Sequence, residues 1–275
     1  MRVAVIGCGY LGSAVAALYT QAGHAVTATT RRPERLKQLA EVAQKAVLYF
    51  GKDEEELRLL VEANDLIIMT IGADSPDHYE AAYLQTARMM RHIATTHKLR
   101  RHLIYTSSAS VYGDHHGYWV DEASELRSQT DQGKVLIQAE SLYLSLQDLG
   151  WHVAILRLAE IYGPGRELAD KARRGVVHPE FFTNMIHRDD AAVAITYLSQ
   201  QDLQGIFNLA DDDHPTRQEL AEQVSAQQGL SFPPAPPEGV IQRLHSGNKR
   251  VSNHKIKSVG FMFQYPHRIV SSLLP

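Results

Sequence analysis

"RVAVIGCGYLGSAVAALYTQAGHAVTATT", residues 2–30, is the stretch whose reading decides the fold. Residues 2–6 form a short apolar, β-branched run of the kind that makes a buried strand. "GCGYLG" follows, with Gly7, Gly9 and Gly12; residues 13–23 then have a helical pattern, and 24–30 read as a second strand. Strand, glycine turn, helix and strand at this spacing are the opening unit of a dinucleotide-binding sheet. Gly7 permits the tight turn, Gly9 leaves room for a pyrophosphate, and Gly12 lets the helix lie close on the sheet. The helix amino terminus at Tyr10 and Leu11 then presents backbone N–H groups to the phosphates.

The end of the second strand bears on which dinucleotide is held. An acidic residue there would accept hydrogen bonds from the adenosine ribose and favour NAD. Thr30, Arg31 and Arg32 stand there instead. An arginine fork matches a 2′-phosphate, so the expected cofactor is NADP in preference to NAD.

Outward from this unit the alternation continues. Strands are expected at 45–50, 65–70, 101–108 and 151–158, and helices at 53–63, 77–97 and 131–148. The pattern specifies an α/β fold, a doubly wound, mostly parallel Rossmann-type sheet. Ligands of such sheets bind at the carboxyl ends of the strands. That places Gly7, Gly72, Ser108 and Arg157 near a common rim and adds Ile71 and Thr106 to the expected cofactor-binding set. After residue 160 regularity falls. Residues 185–200 read as a loop and helix, 205–212 as a strand and turn, and 216–229 as a helix opened by a Thr216–Glu219 capping box. "SFPPAPPEG" (231–239) cannot continue a helix. The expected division is a dinucleotide-binding domain over 1–160 and a mixed region over 161–275. The latter completes the sheet and forms a small, discontinuous substrate lobe.

Composition narrows the classes. The chain has 275 residues, 44% of them hydrophobic, enough for a sizeable core. A formal charge of −3, from 28 basic and 31 acidic residues without a basic run, argues against nucleic acid as the main partner. Cys8 is the single cysteine, which rules out an internal disulfide and fits a reducing compartment. No run is long enough to cross a bilayer, so a cytoplasmic location without a membrane partner is expected. His178, His187, His214, His245 and His254 have no zinc spacing, and no metal is expected.

"GCGYLG", "TSSASVYGD" (106–114), "RLAEIYGPGR" (157–166), "MIHRDDAAVAI" (185–195), "FNLAD" (207–211) and "KRVSNHKIKSVGF" (249–261) occur in an order that resembles the extended short-chain dehydrogenase/reductase family, the nucleotide-sugar epimerases and dehydratases. The resemblance covers nearly the whole chain. It implies a bound NAD(P) and a small-molecule substrate, a sugar or nucleotide sugar, held by the carboxyl-terminal lobe. It also implies a homodimer packed through the helices around 77–97 and 131–148. In active members a serine or threonine positions the substrate hydroxyl and a tyrosine transfers the proton. A lysine four residues on lowers the tyrosine pKa, because free tyrosine titrates near about 10.

Ser108 matches that serine, Asp121 and Glu122 the acidic pair before the catalytic helix, and Glu140 the glutamate four residues after the lysine. Counting back from Glu140 puts Leu136 at the lysine position and Gln132 at the tyrosine position. Tyr83 stands where many members have an asparagine. No tyrosine precedes any lysine of the chain by four residues. This resembles the atypical branch of the family, which keeps the nucleotide site and loses the pair. Two readings follow. An enzyme could carry its proton on His115 or His116 of "GDHHG", since histidine titrates near neutrality, with Lys134 reaching the nicotinamide ribose if its helix is rotated. Alternatively, the chain is an NADP(H)-binding regulatory or interaction protein without turnover. Arg166 is a candidate for a substrate phosphate or carboxylate, and Asp189 and Asp190 are expected to cap the following helix.

Overall fold

The computed structural model describes residues 1–168, 176–229 and 247–268. The "PPAPP" stretch and His245 lie outside the described residues. Two compact units interleave along the chain. The first comprises 1–108, 130–157 and 192–207; the second comprises 109–129, 158–191 and 208–275. The second unit thus takes 109–129 out of the amino-terminal region, and the first takes 192–207 out of the carboxyl-terminal one.

The first unit is built on a seven-stranded sheet. Its strands are β1 (Arg2–Ile6), β2 (Ala25–Thr30), β3 (Lys45–Leu48), β4 (Leu66–Met69), β5 (His102–Ser108), β7 (His152–Leu158) and β10 (Gly205–Leu209), in the order β10-β7-β5-β4-β1-β2-β3. The pairings from β3 across to β5 are parallel, with Val3 opposite Val26 and Leu66, and Ile67 opposite Leu103. The order reverses at β1, so the crevice at its carboxyl end is the topological switch point where such sheets hold ligands. This is the doubly wound Rossmann-type sheet expected from the sequence.

All four residues of β4 are fully buried, as a strand covered on both faces requires. On one face Ile6, Met69, Leu103 and Ile155 meet Leu57 and Val61 of α3 (Glu54–Ala63), Met90 and Ile93 of α4 (Thr86–Thr96), and Ala139 and Tyr143 of α5 (Asp131–Leu144). Asp53 caps α3 by accepting from the Glu56 N–H at 3.0 Å, and Thr130 caps α5 by accepting from the Gly133 N–H at 3.1 Å. The single long helix expected over 77–97 is composite: a 3₁₀ turn at Pro76–His78, a π-helical turn at Glu80–Gln85 holding Tyr83, then α4. A π turn inserts about one extra residue per turn. The amphipathic pattern is kept on either side of it, so periodicity does not betray it. No helix among the described residues is long and apolar enough to cross a membrane.

The second unit contains two small parallel sheets. One pairs β6 (Trp119–Val120) with β11 (Arg250–Val251), and the other pairs β8 (Glu160–Tyr162) with β9 (Met185–His187). The expected loop at 185–187 is therefore a strand, and α6 (Arg188–Gln200) follows it directly. Asp189 and Asp190 sit in the first turn of α6 and do not cap it. Asp190 accepts the backbone N–H groups of Gln264 and Tyr265, each at 2.8 Å, and Asp189 takes the Arg188 guanidinium at 2.8 Å. The capping box at Thr216 and Glu219 opens α7 (Arg217–Gln228) as expected.

Arg268 pins the carboxyl-terminal segment of this unit. Its guanidinium meets Asp211 at 2.9 Å and the Thr183 carbonyl at 3.1 Å, with Asp211 and the Arg268 side chain both buried.

Candidate functional site

The glycine turn fixes the geometry of the first unit's strand ends. Gly7 has φ +93°, a conformation that L side chains rarely adopt. A Cβ there would stand 2.8 Å from the Ile71 Cα. At Gly12 a Cβ would stand 2.5 Å from the Thr70 hydroxyl oxygen and 2.7 Å from the Gly7 carbonyl oxygen. These two glycines are required by the protein's own packing. Gly9 differs. A Cβ there would meet nothing closer than the Gly7 carbonyl oxygen at 3.9 Å, so no protein atom demands glycine at that position. Open space beside a bare backbone is what close approach of a ligand requires.

Helix α1 (Tyr10–Gln21) starts at this point with no side-chain cap and no acidic residue in its first turn. Its positive end is thus left for an anion. The Thr29 hydroxyl braces the turn by accepting the Gly7 N–H at 3.0 Å. These residues fit a dinucleotide pyrophosphate.

Two arginines follow the end of β2, and a third touches the turn itself. Arg31 is partly committed: it pairs with Asp74 at 2.9 Å and donates to the Gly72 carbonyl at 3.1 Å. Arg32 is exposed, with its backbone N–H on the Thr30 hydroxyl at 3.1 Å. Arg35, which sequence reasoning did not single out, donates to the Cys8 carbonyl at 2.7 Å and the Ser13 hydroxyl at 3.1 Å. Its position in the short helical turn after Pro33 is the signal that places it beside the glycines. Thr106 is buried and donates to the Met69 carbonyl at 3.1 Å, tying β5 to β4. Ser108 ends β5, half-buried.

Helix α5 bears on the replaced pair. Gly133, Leu136, Ala139, Glu140 and Tyr143 form its buried face. Leu136 is therefore turned inward and buried. Lys134 is exposed, two residues or about 200° away around the helix. Arg157 stands at the carboxyl end of β7, as expected, and is buried. Its guanidinium lies against the Glu140 carboxylate, with contacts of 3.2 and 2.8 Å and both side chains 3% exposed.

In the second unit, the His115 Nε2 lies 3.1 Å from the Glu125 carbonyl oxygen. A carbonyl only accepts, so Nε2 carries the hydrogen and Nδ1 is the basic nitrogen of the neutral ring. Asp121 closes its own turn by accepting the Ala123 N–H at 3.0 Å, and Glu122 accepts the Asn208 N–H at 2.7 Å. Both members of the acidic pair thus have structural partners. Arg166 is exposed.

Residues 247–250 clamp the "GDHHG" loop. The Asn248 carbonyl accepts the N–H groups of His115 and Gly117 at 2.9 and 3.0 Å. Asp114 accepts the Asn248 N–H at 2.8 Å, and the buried Lys249 ammonium donates to the Gly113 carbonyl at 3.1 Å. Burial pushes the Lys249 pKa down to about 8, outweighing the attraction of Asp114.

The folded pKa therefore lies below that of the unfolded chain. Between about 8 and 10.5 the unfolded state binds more protons, and stability rises with pH across that window. Urea titrations from pH 7 to 10 should show the wild type gaining on Lys249→Met by up to about 3 kcal/mol. Parallel pH profiles for the two proteins would refute a depressed lysine.

The model of the NAD dependent epimerase/dehydratase family matches residues 3–212. The chain belongs to that family. Among solved structures, a functionally unknown conserved protein from Silicibacter pomeroyi is similar with TM-score 0.80 and 25% identity, covering 97% of this chain and 94% of that one. Two others share the fold: the Thermus thermophilus UDP-glucose 4-epimerase in complex with NAD (TM-score 0.77, 18% identity, 95% and 94% covered) and the human epimerase family protein SDR39U1 with NADPH (TM-score 0.77, 17% identity, 97% and 96% covered). No curated protein matches the chain. Family membership accounts for the glycine turn and the sheet order together.

Proposed function

We propose that the chain binds NADP in preference to NAD and acts as an oxidoreductase or epimerase-like enzyme on the hydroxyl of a sugar or nucleotide sugar. The observation that carries this reading is the contrast at the glycine turn. Gly7 and Gly12 are filled by protein, while Gly9 stays open beside an uncapped helix, with Arg35 touching the turn and Arg31 and Arg32 after β2. The absence of an acid at Thr30 and the exposed Arg32 favour the phosphorylated nucleotide. The relatives of this fold solved with NAD and with NADPH are compatible with either.

Bound NADP would supply hydride transfer. Ser108 is assigned to hold the substrate hydroxyl. His115 is assigned to exchange its proton through Nδ1, with Nε2 held by the Glu125 carbonyl. Residues 1–160 are assigned to the nucleotide and the carboxyl-terminal lobe to the substrate. A homodimer in the cytoplasm completes the proposal.

One observation favours a second reading. Leu136, at the position matched to the lysine, is apolar and buried, and Lys134 faces away. A nucleotide-binding protein without turnover needs neither. Calorimetric titration with NADP⁺, NADPH, NAD⁺ and NADH, followed by NADPH absorbance with UDP-sugars, separates the two. Tighter binding of the phosphorylated pair with sugar-dependent absorbance change, or with isomerisation of the UDP-sugar, supports the enzyme. Binding with neither a change in absorbance nor isomerisation of the UDP-sugar supports the second reading, and failure of all four nucleotides to bind overturns both.

A further inference from the structure

No zinc spacing along the chain brings metal ligands together locally. The sheet gathers ligands that are far apart. His102 opens β5, His152 opens the adjacent β7, and Asp202 lies in the turn between α6 and β10, all within the first unit. Among the described residues this is the one group of three or more histidine, cysteine or acidic side chains whose ligand atoms come together, all within 4.8 Å.

His152 Nδ1 is 2.7 Å and His102 Nε2 3.5 Å from the same Asp202 oxygen. Ligands bound at about 2.1 Å to a tetrahedral ion are roughly 3.4 Å apart; the His102–Asp202 separation matches that edge, while the His152–Asp202 pair is now at hydrogen-bond distance and would open to admit an ion. A recess of about 10 Å³, room for one ion- or water-sized sphere, is lined by His102, His152, Ser199 and Asp202.

Asp202 holds a left-handed backbone, φ +50°, a conformation uncommon outside glycine and its few tolerant residues, aspartate among them. That conformation turns its carboxylate back onto the two imidazoles.

We propose that His102, His152 and Asp202 form a binding site for a single divalent transition ion of the zinc class, with water completing its coordination. The two imidazoles are borderline ligands and the carboxylate a hard one; with two of three ligands nitrogen, the set suits zinc and cobalt better than magnesium or calcium, which take all-oxygen sites. The rings now stack, with centroids 4.5 Å apart and planes at 12°. A metal lies in the plane of each imidazole it binds, so ligation turns one ring about χ2, a torsion with broad freedom.

The site lies at the amino-terminal edge of parallel strands, while the glycine turn lies at their carboxyl ends. Its role is therefore to tie β5, β7 and the α6–β10 turn together, independent of the nucleotide reading.

The experiment is titration of the chelator-treated full chain with Co²⁺, read by visible absorption, then competition with Zn²⁺. The expected result is saturation at one equivalent, displacement by Zn²⁺ and a raised thermal midpoint. Asp202→Asn, which tolerates the left-handed backbone, and His152→Asn should each weaken binding by about tenfold or more, since even partners of ligands carry that much. Nucleotide affinity should stay unchanged in Asp202→Asn. Absence of saturation at one equivalent, or binding that survives both substitutions, overturns the site.

Discussion

Glu140→Leu lowers stability by about 3–5 kcal/mol, because it removes the carboxylate that lies against the buried Arg157 guanidinium. Both residues are about 2% exposed, and the guanidinium meets both carboxylate oxygens. Taking the two charges out of water costs several kcal/mol each, and their mutual attraction offsets this only while both are present. Arg157→Met should cost a similar amount for the opposite reason. The double variant should recover most of the loss, since an apolar pair of similar volume often replaces a buried ion pair without penalty. Urea titrations of the four proteins measure the coupling directly. Additive losses in the double variant would show that the pair is not coupled. The pair anchors α5 to β7. Nucleotide affinity of the folded double variant then reports whether α5 needs this anchor for binding.

The legible part of the protein was the part governed by local rules. The glycine turn, the buried strands and the Thr216 capping box follow from backbone sterics, strand burial and orphan helix donors, all visible within a few residues. What escaped was set by partners distant in the chain. Arg157 at the end of an apolar strand gives no sign of being buried until Glu140, on another element, is known to face it. Asp190 looks like a helix cap until residues 264–265 arrive to take its oxygens. The π turn around Tyr83 changes helix phase without changing the apolar pattern on either side. Arg35 lies three residues beyond the arginines that the strand end singled out, and only the short turn after Pro33 brings it to Cys8 and Ser13. His102, His152 and Asp202 have no sequence spacing at all; the strand order makes them neighbours.

Gly9→Ala separates ligand space from folding requirement, and its expected outcome is a protein of unchanged stability that has lost nucleotide affinity. Gly9 has φ −84° and ψ −143°, outside the left-handed region that requires glycine, and an added methyl would meet no protein atom closer than 3.9 Å. Unfolding free energy should therefore stay within about 0.5 kcal/mol of wild type. If the open space is filled by a pyrophosphate, the methyl overpacks the complex by about 1–3 kcal/mol, roughly a 5- to 150-fold rise in Kd.

Gly7→Ala should behave differently. The alanine would be forced to φ +93° with its Cβ 2.8 Å from the Ile71 Cα and 2.9 Å from the Ile71 nitrogen. Strain and overpacking together should cost at least about 2 kcal/mol of stability before any ligand is added. Thermal denaturation and NADPH calorimetry on the two variants give a two-by-two outcome. Stable Gly9→Ala with weakened binding assigns the open position to the nucleotide. Stable Gly9→Ala with wild-type binding would move the pyrophosphate away from the turn and remove the observation on which the proposed function rests.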